Sequence, residues 1–234
     1  MIGENMPATA TLADGRTLAL HESTAGKVRG GVVCVEGVTV REEPAVWDAL
    51  ATVAAGYREQ YADLAPSQIE PLAEARDLYK SFGMDPSRHR PSSEALLRRV
   101  LGGKGLYRIN NAVDTCNLAS LTFLLPIGMY DLDRVAGDVV MRVGKEGEQY
   151  AGIRKGPVHL AGRLALFDQE GGFGSPTSDS ARTAVSADTR RILAVVMATG
   201  AYDARLLQRH AERLASLLAG YCEASTSFTG LIGE

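Results

Sequence analysis

The sequence predicts a mixed α+β fold in which a β-sheet or sandwich core is flanked by helices. Runs rich in valine and isoleucine, at 32–40 and 192–197, have the β-branched composition of buried strands. Apolar residues recur at helical spacing over 45–63 and 203–221. With 234 residues, of which 45% are hydrophobic, the chain is long enough to bury a substantial core.

The first part of the chain is expected to begin with an edge hairpin, because Asp14-Gly15 supplies a tight turn between alternating residues. The following strand should bend at Gly37, and Pro44 suits the first turn of a helix. We expect two helices to pack as a helical hairpin. In chain order, the predicted hairpin, strand and helices cover residues 7–20, 32–40, 45–63 and 66–83.

The remaining elements follow from turn signals and periodicity. A helix capped at Ser92 should run to Leu101 before Gly102-Gly103. The polar stretch 144–147, with a glycine at each end, is typical of a hairpin connection. The strands, the final helix and the tail are predicted at 138–143, 149–153, 162–167, 192–197, 203–221 and 222–234.

Several functional classes lose their usual signals. The sequence has no P-loop, no G-x-G-x-x-G after a strand, no H-E-x-x-H and no G-x-S-x-G, and the spacing of its four histidines predicts no metal site. We therefore expect no metal and no cofactor. Cys34, Cys116 and Cys222 lie far apart, which favours reduced thiols over disulfides or zinc ligands. No apolar run reaches the length of a membrane span and no signal peptide is indicated, so we expect a cytoplasmic protein without a membrane partner.

The most informative stretch is 106–133, because its polar residues stand in apolar surroundings. Asn110, Asn111, Asp114 and Asn117 recur among leucines, valines and phenylalanine at spacings that place several on one side of a helix. A buried polar group without a partner costs about 1–3 kcal/mol. The segment therefore forms either a satisfied structural network or the wall of a polar pocket.

The same stretch resembles a known module. Ile-Asn-Asn-Ala-Val-Asp-Thr-Cys-Asn, then Pro126 and Tyr-Asp-Leu-Asp, is similar to the B3/B4 module of the phenylalanyl-tRNA synthetase beta subunit. The similarity is closer to freestanding B3/B4-like proteins, in which Arg-Pro-Ser-Ser-Glu-Ala-Leu-Leu-Arg-Arg-Val-Leu precedes the asparagine segment. The resemblance divides the chain into N-terminal strands and a helical hairpin (1–84), a B3/B4-like module (85–221) and a tail (222–234), with the first two packed as one globular unit.

The resemblance implies a function. The synthetase module hydrolyses tyrosine wrongly attached to phenylalanine tRNA, so a similar protein would bind aminoacylated tRNA or a related RNA and could act as a trans-editing ester hydrolase. The alternative is a non-catalytic module of the same fold that binds RNA or a small molecule. A net charge of −3 and a pI near 5.9 confine any RNA contact to a local surface. The expected RNA-binding residues are Arg88, Arg90, Arg98 and Arg108. The alternative interpretation is that these arginines belong to a solvated, salt-bridged surface.

The resemblance also implies site residues. Asn117 and Pro126 match pocket residues of the module, while Cys116 replaces a threonine and Gly128 replaces a histidine. The pocket glutamate of the module falls near Val195. We expect catalytic roles for Asn117 and Cys116, although a buried cysteine is more often a small hydrophobe. The segment 171–180 should form the opposite wall, and the expected substrate-binding residues are Asn110, Pro126, Gly128, Asp131, Asp179 and Ser180.

The absence of the module's histidine at Gly128 and of its glutamate near Val195 predicts a wider and less polar pocket. Such a pocket would discriminate poorly between tyrosine and phenylalanine, because a buried phenol hydroxyl needs a hydrogen-bond partner.

Overall fold

The computed structural model describes residues 8–153 and 156–233. The helices of that part of the chain are Pro44–Gln60 (α1), Ala73–Ser81 (α2), Ser92–Leu101 (α3), Asn111–Phe123 (α4) and Ala204–Cys222 (α5). Its strands are Thr9–Thr11 (β1), Thr17–Leu20 (β2), Val28–Glu36 (β3), Ile127–Asp131 (β4), Val139–Val143 (β5), Gln149–Ala151 (β6), Pro157–His159 (β7), Leu164–Asp168 (β8), Gly171–Gly174 (β9), Arg191–Thr199 (β10) and Ser225–Ile232 (β11).

In the described residues these strands form two larger sheets and one small ribbon. The four-stranded sheet has the order β11-β3-β10-β4 and is antiparallel throughout. The five-stranded sheet has the order β1-β2-β5-β8-β9, with β2 and β5 parallel. Strands β6 and β7 pair only with each other. None of the helices in residues 8–153 and 156–233 is long and apolar enough to cross a membrane.

Alternation along the central strands gives the molecule its layers. Successive side chains of β3 and β10 point to opposite faces of the sheet. On one face Val33, Val35 and Ile192 pack with residues of α1, α4 and α5. On the other face Val32, Cys34 and Val195 pack with residues of β2, β5 and β8. The result is a β-sandwich with α1, α4 and α5 packed on one outer face, whereas Leu78 of α2 belongs to the core between the sheets. The predicted α+β class is confirmed.

Two predictions about the first half are wrong. The helix expected over 66–83 begins only at Ala73, after two short 3₁₀ turns, because Pro71 has no N–H and its ring disfavours an α-helix around it. Helix α2 packs against β10, whereas α1 packs against α3 and α4, so the two do not form a helical hairpin. The predicted edge hairpin is present as β1 and β2, although its first residue lies outside the described residues.

Three predictions about later elements also need correction. Ser92 does not cap α3: the cap position is Pro91, and the Ser92 N–H donates to Pro176 O over 3.1 Å. The connection 144–147 does not close a hairpin, because β5 pairs with β8 while β6 pairs with β7. Residues 225–232 are not a tail but the edge strand β11, which pairs along β3 with one bulge.

Candidate functional site

A cavity of about 540 Å³ lies between α3, α4, β4 and the segment that follows β9. This volume is within the range of about 300–1,000 Å³ that holds small molecules in proteins. Apolar side chains of α3, α4 and β4 form much of the wall. Its polar side chains include Arg99, Asn117, Ser175, Thr177, Ser178 and Asp179.

The asparagine segment divides its polar residues between structure and cavity. The Asn110 side chain caps α4 by accepting from Val113 N over 2.9 Å. Asn111 is fully buried, and its amide donates to Thr39 O and Tyr221 O. Its Oδ1 accepts from the N–H of Arg41 over 2.9 Å. The expectation that Asn110 points into the cavity is wrong, because an N-terminal cap must turn back towards its own backbone.

Asp114 is a second structural residue. Its carboxylate accepts from Trp47 Nε1 over 2.8 Å and from Ile109 N over 3.1 Å. Burial raises the pKa of Asp114, while the bonds from Trp47 and Ile109 and the nearby Arg108 guanidinium oppose that rise. This carboxylate therefore fixes α1 and the segment before α4 relative to each other.

Asn117 and Cys116, the two residues expected to be catalytic, both line the cavity. Asn117 is half-buried, and its amide makes no hydrogen bond to residues 8–153 or 156–233. Burial raises the pKa of the Cys116 thiol well above its usual range, and the Asp179 carboxylate adds to the rise. Cys116 therefore lines the cavity as a neutral thiol, whereas Asn117 offers free donors and an acceptor.

The space beside Gly128 is filled rather than open. Tyr130 is fully buried, and its ring lies between Gly128 and Gly174, edge-on to Phe173 with ring centroids 4.9 Å apart. A methyl group on Gly128 would lie 2.6 Å from Tyr130 Cζ and would overlap the hydroxyl oxygen. The wider pocket predicted from the missing histidine is therefore wrong at this point. Sequence reasoning missed this role of Tyr130, because its ring is held against Gly174 on β9, which is distant from Gly128 along the chain.

Asp179 lies against this tyrosine at the floor of the cavity. Burial raises the pKa of Asp179 to about 7, and the Tyr130 hydroxyl and the Met129 N–H oppose the rise. Neither Asp179 Oδ1 nor Tyr130 Oη completes a hydrogen bond of normal geometry within the described part of the chain. The cavity thus contains a carboxylate with an unsatisfied acceptor.

The other expected substrate-binding residues lie outside the cavity wall. Pro126 is buried, and its carbonyl oxygen accepts from Met197 N. Asp131 is buried and accepts from Thr189 Oγ1 over 2.7 Å, so it holds the segment before β10. Ser180 Oγ accepts from Arg182 N at the turn after Asp179. Asp131 and Ser180 are engaged by backbone or side-chain partners, which explains why they do not face the cavity.

The mouth of the cavity carries exposed apolar side chains. Tyr107, Ile109 and Ile153 are 68%, 49% and 42% exposed, and all three border the cavity. The Arg99 guanidinium lies 3.9 Å from the centre of the Tyr107 ring and donates to Gly105 O. The sequence signal for this site is an aromatic residue, Tyr107, inside a basic stretch.

A smaller cavity of about 260 Å³ adjoins the same segment and is bordered by Arg58, Lys104, Tyr107 and Arg108. Arg108 lies over the Trp47 ring at 4.6 Å. Arg58 and Lys104 are exposed and form no ion pair within residues 8–153 and 156–233. We refer to Arg58, Arg99, Lys104, Tyr107 and Arg108 as the mouth surface.

The expected RNA-binding arginines are not equivalent. Arg98 bonds the fully buried Glu94 over 2.7 Å, and Arg76 bonds the same carboxylate over 2.9 Å. Arg98 is therefore committed to a partly buried ion-pair cluster. Arg88 and Arg90 are exposed in the segment that leads into α3, and Arg88 lies 3.8 Å from Asp85. Within the described residues, no group of three histidine, cysteine or acidic side chains converges as metal ligands.

These features define a class: an α+β sandwich protein with a ligand-sized cavity enclosed by two helices, an edge strand and a loop. The chain belongs to the B3/4 domain family, whose family model matches residues 74–223, well over half of the sequence. The resemblance of the asparagine segment to that family is thereby confirmed.

Other comparisons give less. No curated protein matches the chain. A solved structure that does match is an N-terminal fragment of the phenylalanyl-tRNA synthetase beta subunit from Pyrococcus horikoshii, with 14% sequence identity and a TM-score of 0.48. The match covers 98% of this chain and 58% of that one, so the chain spans little more than half the length of the fragment.

Proposed function

We propose that the protein binds RNA at the mouth surface and takes the aminoacyl group of a charged tRNA into the 540 Å³ cavity. The observation that carries this proposal is the position of the cavity, which opens beside exposed aromatic and basic side chains. Tyr107, stacked with Arg99, is 68% exposed and offers a face for a nucleobase. Lys104 and Arg58 are free to contact phosphates. Membership of the B3/4 domain family supports the same proposal.

The charge distribution fits a short RNA contact rather than a long one. The chain has a net charge of −3, and many of its arginines are paired with acidic groups, as Arg98 is with Glu94. The mouth surface is a local basic area next to the cavity, and Arg88 and Arg90 precede Ser92, which lines the cavity. A terminal stretch of a few nucleotides is the RNA feature that such an area can hold.

The finer proposal is hydrolysis of the aminoacyl ester by a bound water molecule. Water oxygen bonds to the carbonyl carbon, the ester bond to the ribose breaks, and the ribose oxygen takes up a proton. Asn117 is the proposed donor to the carbonyl oxygen, because its amide faces the cavity without another partner in the described chain. Cys116 is not the proposed nucleophile, since its raised pKa leaves no thiolate at neutral pH.

A second candidate is binding of the same ligand without turnover. It is favoured by one observation: the cavity wall formed by the described residues contains no nucleophile held by a neighbouring base. A deacylation assay over a panel of aminoacyl-tRNAs separates the two candidates. Hydrolysis by the wild type that is lost in Asn117→Ala supports the enzyme, whereas RNA binding without hydrolysis of any ester supports the binding module.

Filter binding at several salt concentrations tests the RNA surface. The double variant Arg58→Gln/Lys104→Gln removes two charges that have no partner in the described chain, and we expect weaker binding with a smaller salt slope. The matched control is Arg205→Gln/Arg209→Gln on α5, which borders a different groove and should leave affinity unchanged. Equal effects of both pairs would contradict the proposal. Unchanged binding by Arg88→Gln/Arg90→Gln would remove that segment from the surface.

The proposed location is the cytoplasm. Cys34, Cys116 and Cys222 are all buried free thiols, which suits a reducing compartment.

A further inference from the structure

We propose that the Asp179 carboxylate binds a primary ammonium group of the ligand, so that the cavity selects molecules in which an ammonium is attached to an apolar body. Amino acids and their esters and amides form this class. The inference deepens the proposed function and rests on it for the identity of the natural ligand, an aminoacyl group.

The geometry leaves an acceptor that a ligand must satisfy. Asp179 Oδ1 is buried and completes no hydrogen bond of normal geometry in residues 8–153 and 156–233, although the Tyr130 hydroxyl and the Met129 N–H lie near the carboxylate. Asp179 lines the 540 Å³ cavity together with apolar side chains that include Val113, Ile127 and Met129. A buried acceptor without a donor costs about 1–3 kcal/mol, and more when it is charged. A ligand that brings a donor to this oxygen removes that cost. Its apolar body would also cover the apolar side chains of the remaining wall.

The surroundings favour a cation over a neutral donor. The groups that face Asp179 are Tyr130 on β4, Tyr150 on β6 and Cys116 on α4, and all three are neutral because burial raises each pKa. Arg99 on α3 borders the cavity, but its guanidinium is occupied by the Tyr107 ring and Gly105 O. The described residues therefore supply no cation that pairs with this carboxylate. A buried carboxylate is stabilised most by a paired charge, which only an ammonium ligand brings.

This arrangement also predicts a pH dependence. With its pKa near 7, Asp179 is mostly protonated at pH 5.5 and mostly ionised at pH 7.5. A primary alkylammonium keeps its charge up to about pH 9. The neighbours Tyr130, Tyr150 and Cys116 do not titrate between these pH values, and Asp114, held by Trp47, does not line the cavity. Affinity for an ammonium ligand should therefore rise from pH 5.5 to 7.5, by about an order of magnitude.

The experiment compares two probes of one shape, 2-phenylethylamine and 2-phenylethanol, by calorimetry or NMR titration of the full chain. We expect the wild type to prefer the amine by about tenfold to a hundredfold at pH 7.5, since a charge-assisted hydrogen bond contributes about 1.5–3 kcal/mol. Asp179→Asn should lose both the preference and the pH dependence while it still binds the alcohol, which shows that its cavity is intact. Asp133→Asn, an exposed carboxylate away from the cavity, is the matched control and should behave as the wild type.

Three results would overturn the inference: equal affinity of the wild type for the two probes, a preference that survives in Asp179→Asn, or failure of both probes to bind at millimolar concentration. The outcome is separate from that of the proposed function. If the wild type binds RNA but shows no preference for the amine over the alcohol, only the ammonium site is rejected. An amine preference without any RNA binding rejects the RNA proposal and leaves a small-molecule amine site.

Discussion

Replacing Gly128 with alanine should destabilise the protein, because Tyr130 already fills the space that the new methyl group needs. The methyl carbon would lie 2.6 Å from Tyr130 Cζ, whereas carbon atoms in contact are about 3.5–4.0 Å apart. The ring cannot retreat, since a methyl group on Gly174, on its other side, would lie 2.5 Å from Cε1. Overpacking of this kind costs about 1–3 kcal/mol. We therefore expect the free energy of unfolding to fall by about that amount.

A double-mutant cycle with Tyr130→Ala identifies the cause. Removing this fully buried aromatic side chain should cost about 3–5 kcal/mol by itself. The space it leaves accommodates the methyl group, so Gly128→Ala/Tyr130→Ala should be hardly less stable than Tyr130→Ala. The assay is chemical unfolding followed by circular dichroism. Gly56→Ala is the control: nothing lies within 4 Å of a methyl group there, in α1, and stability should rise by about 0.5–1 kcal/mol. Additive costs in the cycle, or a Gly128→Ala cost below about 0.5 kcal/mol, would refute the reasoning.

Three further predictions concern polar groups. Asn111→Ala should lower the free energy of unfolding by about 3 kcal/mol, because Thr39 O, Tyr221 O and the Arg41 N–H all lose their buried partner. Urea unfolding measures this loss, and a cost below about 1 kcal/mol would contradict the network. Trp47→Phe should remove one donor to Asp114 and weaken RNA binding by loosening the mouth surface; unchanged filter binding would show that this contact does not position it. The pKa of Asp179 is raised from an ordinary 3.8 to about 7. Between pH 3.8 and pH 7 its carboxyl group therefore keeps a proton in the native state, whereas the same group is ionised in the unfolded state. Wild-type stability should therefore fall relative to Asp179→Asn as pH rises from 4 to 7, by up to about 1.4 kcal/mol per pH unit, and parallel pH profiles of the two proteins would contradict the buried ionisation.

The parts of the fold that sequence predicts well are those with strong local patterns. Strand β10 follows from a β-branched run that is buried on both faces, and α5 follows from an apolar stripe over most of its length. Strand β3 was predicted at 32–40 but spans Val28–Glu36, so only its second half was located correctly and the bend expected at Gly37 lies beyond its end. Strand β11 was missed because its serine and threonine residues suggest an irregular tail, whereas the partner strand β3 decides its conformation. The helix expected from residue 66 fails for a local reason, the proline at 71, to which periodicity gives no weight.

The site was predictable in position but not in detail. The resemblance placed Asn117 opposite the segment that carries Asp179, and both border the cavity. It could not separate Asn110, Asn111 and Asn117, because on a helix each residue is rotated by about 100° from the last and only the tertiary packing decides which side is buried. The tyrosine beside Gly128 could not be foreseen, since its position depends on contact with Gly174 from another sheet.

The most direct test of the central proposal is the affinity of the protein for one tRNA in two forms, uncharged and carrying an amide-linked aminoacyl group that resists hydrolysis. If the cavity takes the aminoacyl group, the charged form should bind about tenfold tighter, since burial of an apolar side chain contributes about 1.5–3 kcal/mol. Ala95→Trp, at an exposed position on the cavity wall, should abolish that difference and leave binding of the uncharged tRNA intact. Equal affinity of the wild type for the two forms, or a difference unchanged in Ala95→Trp, would contradict the proposal.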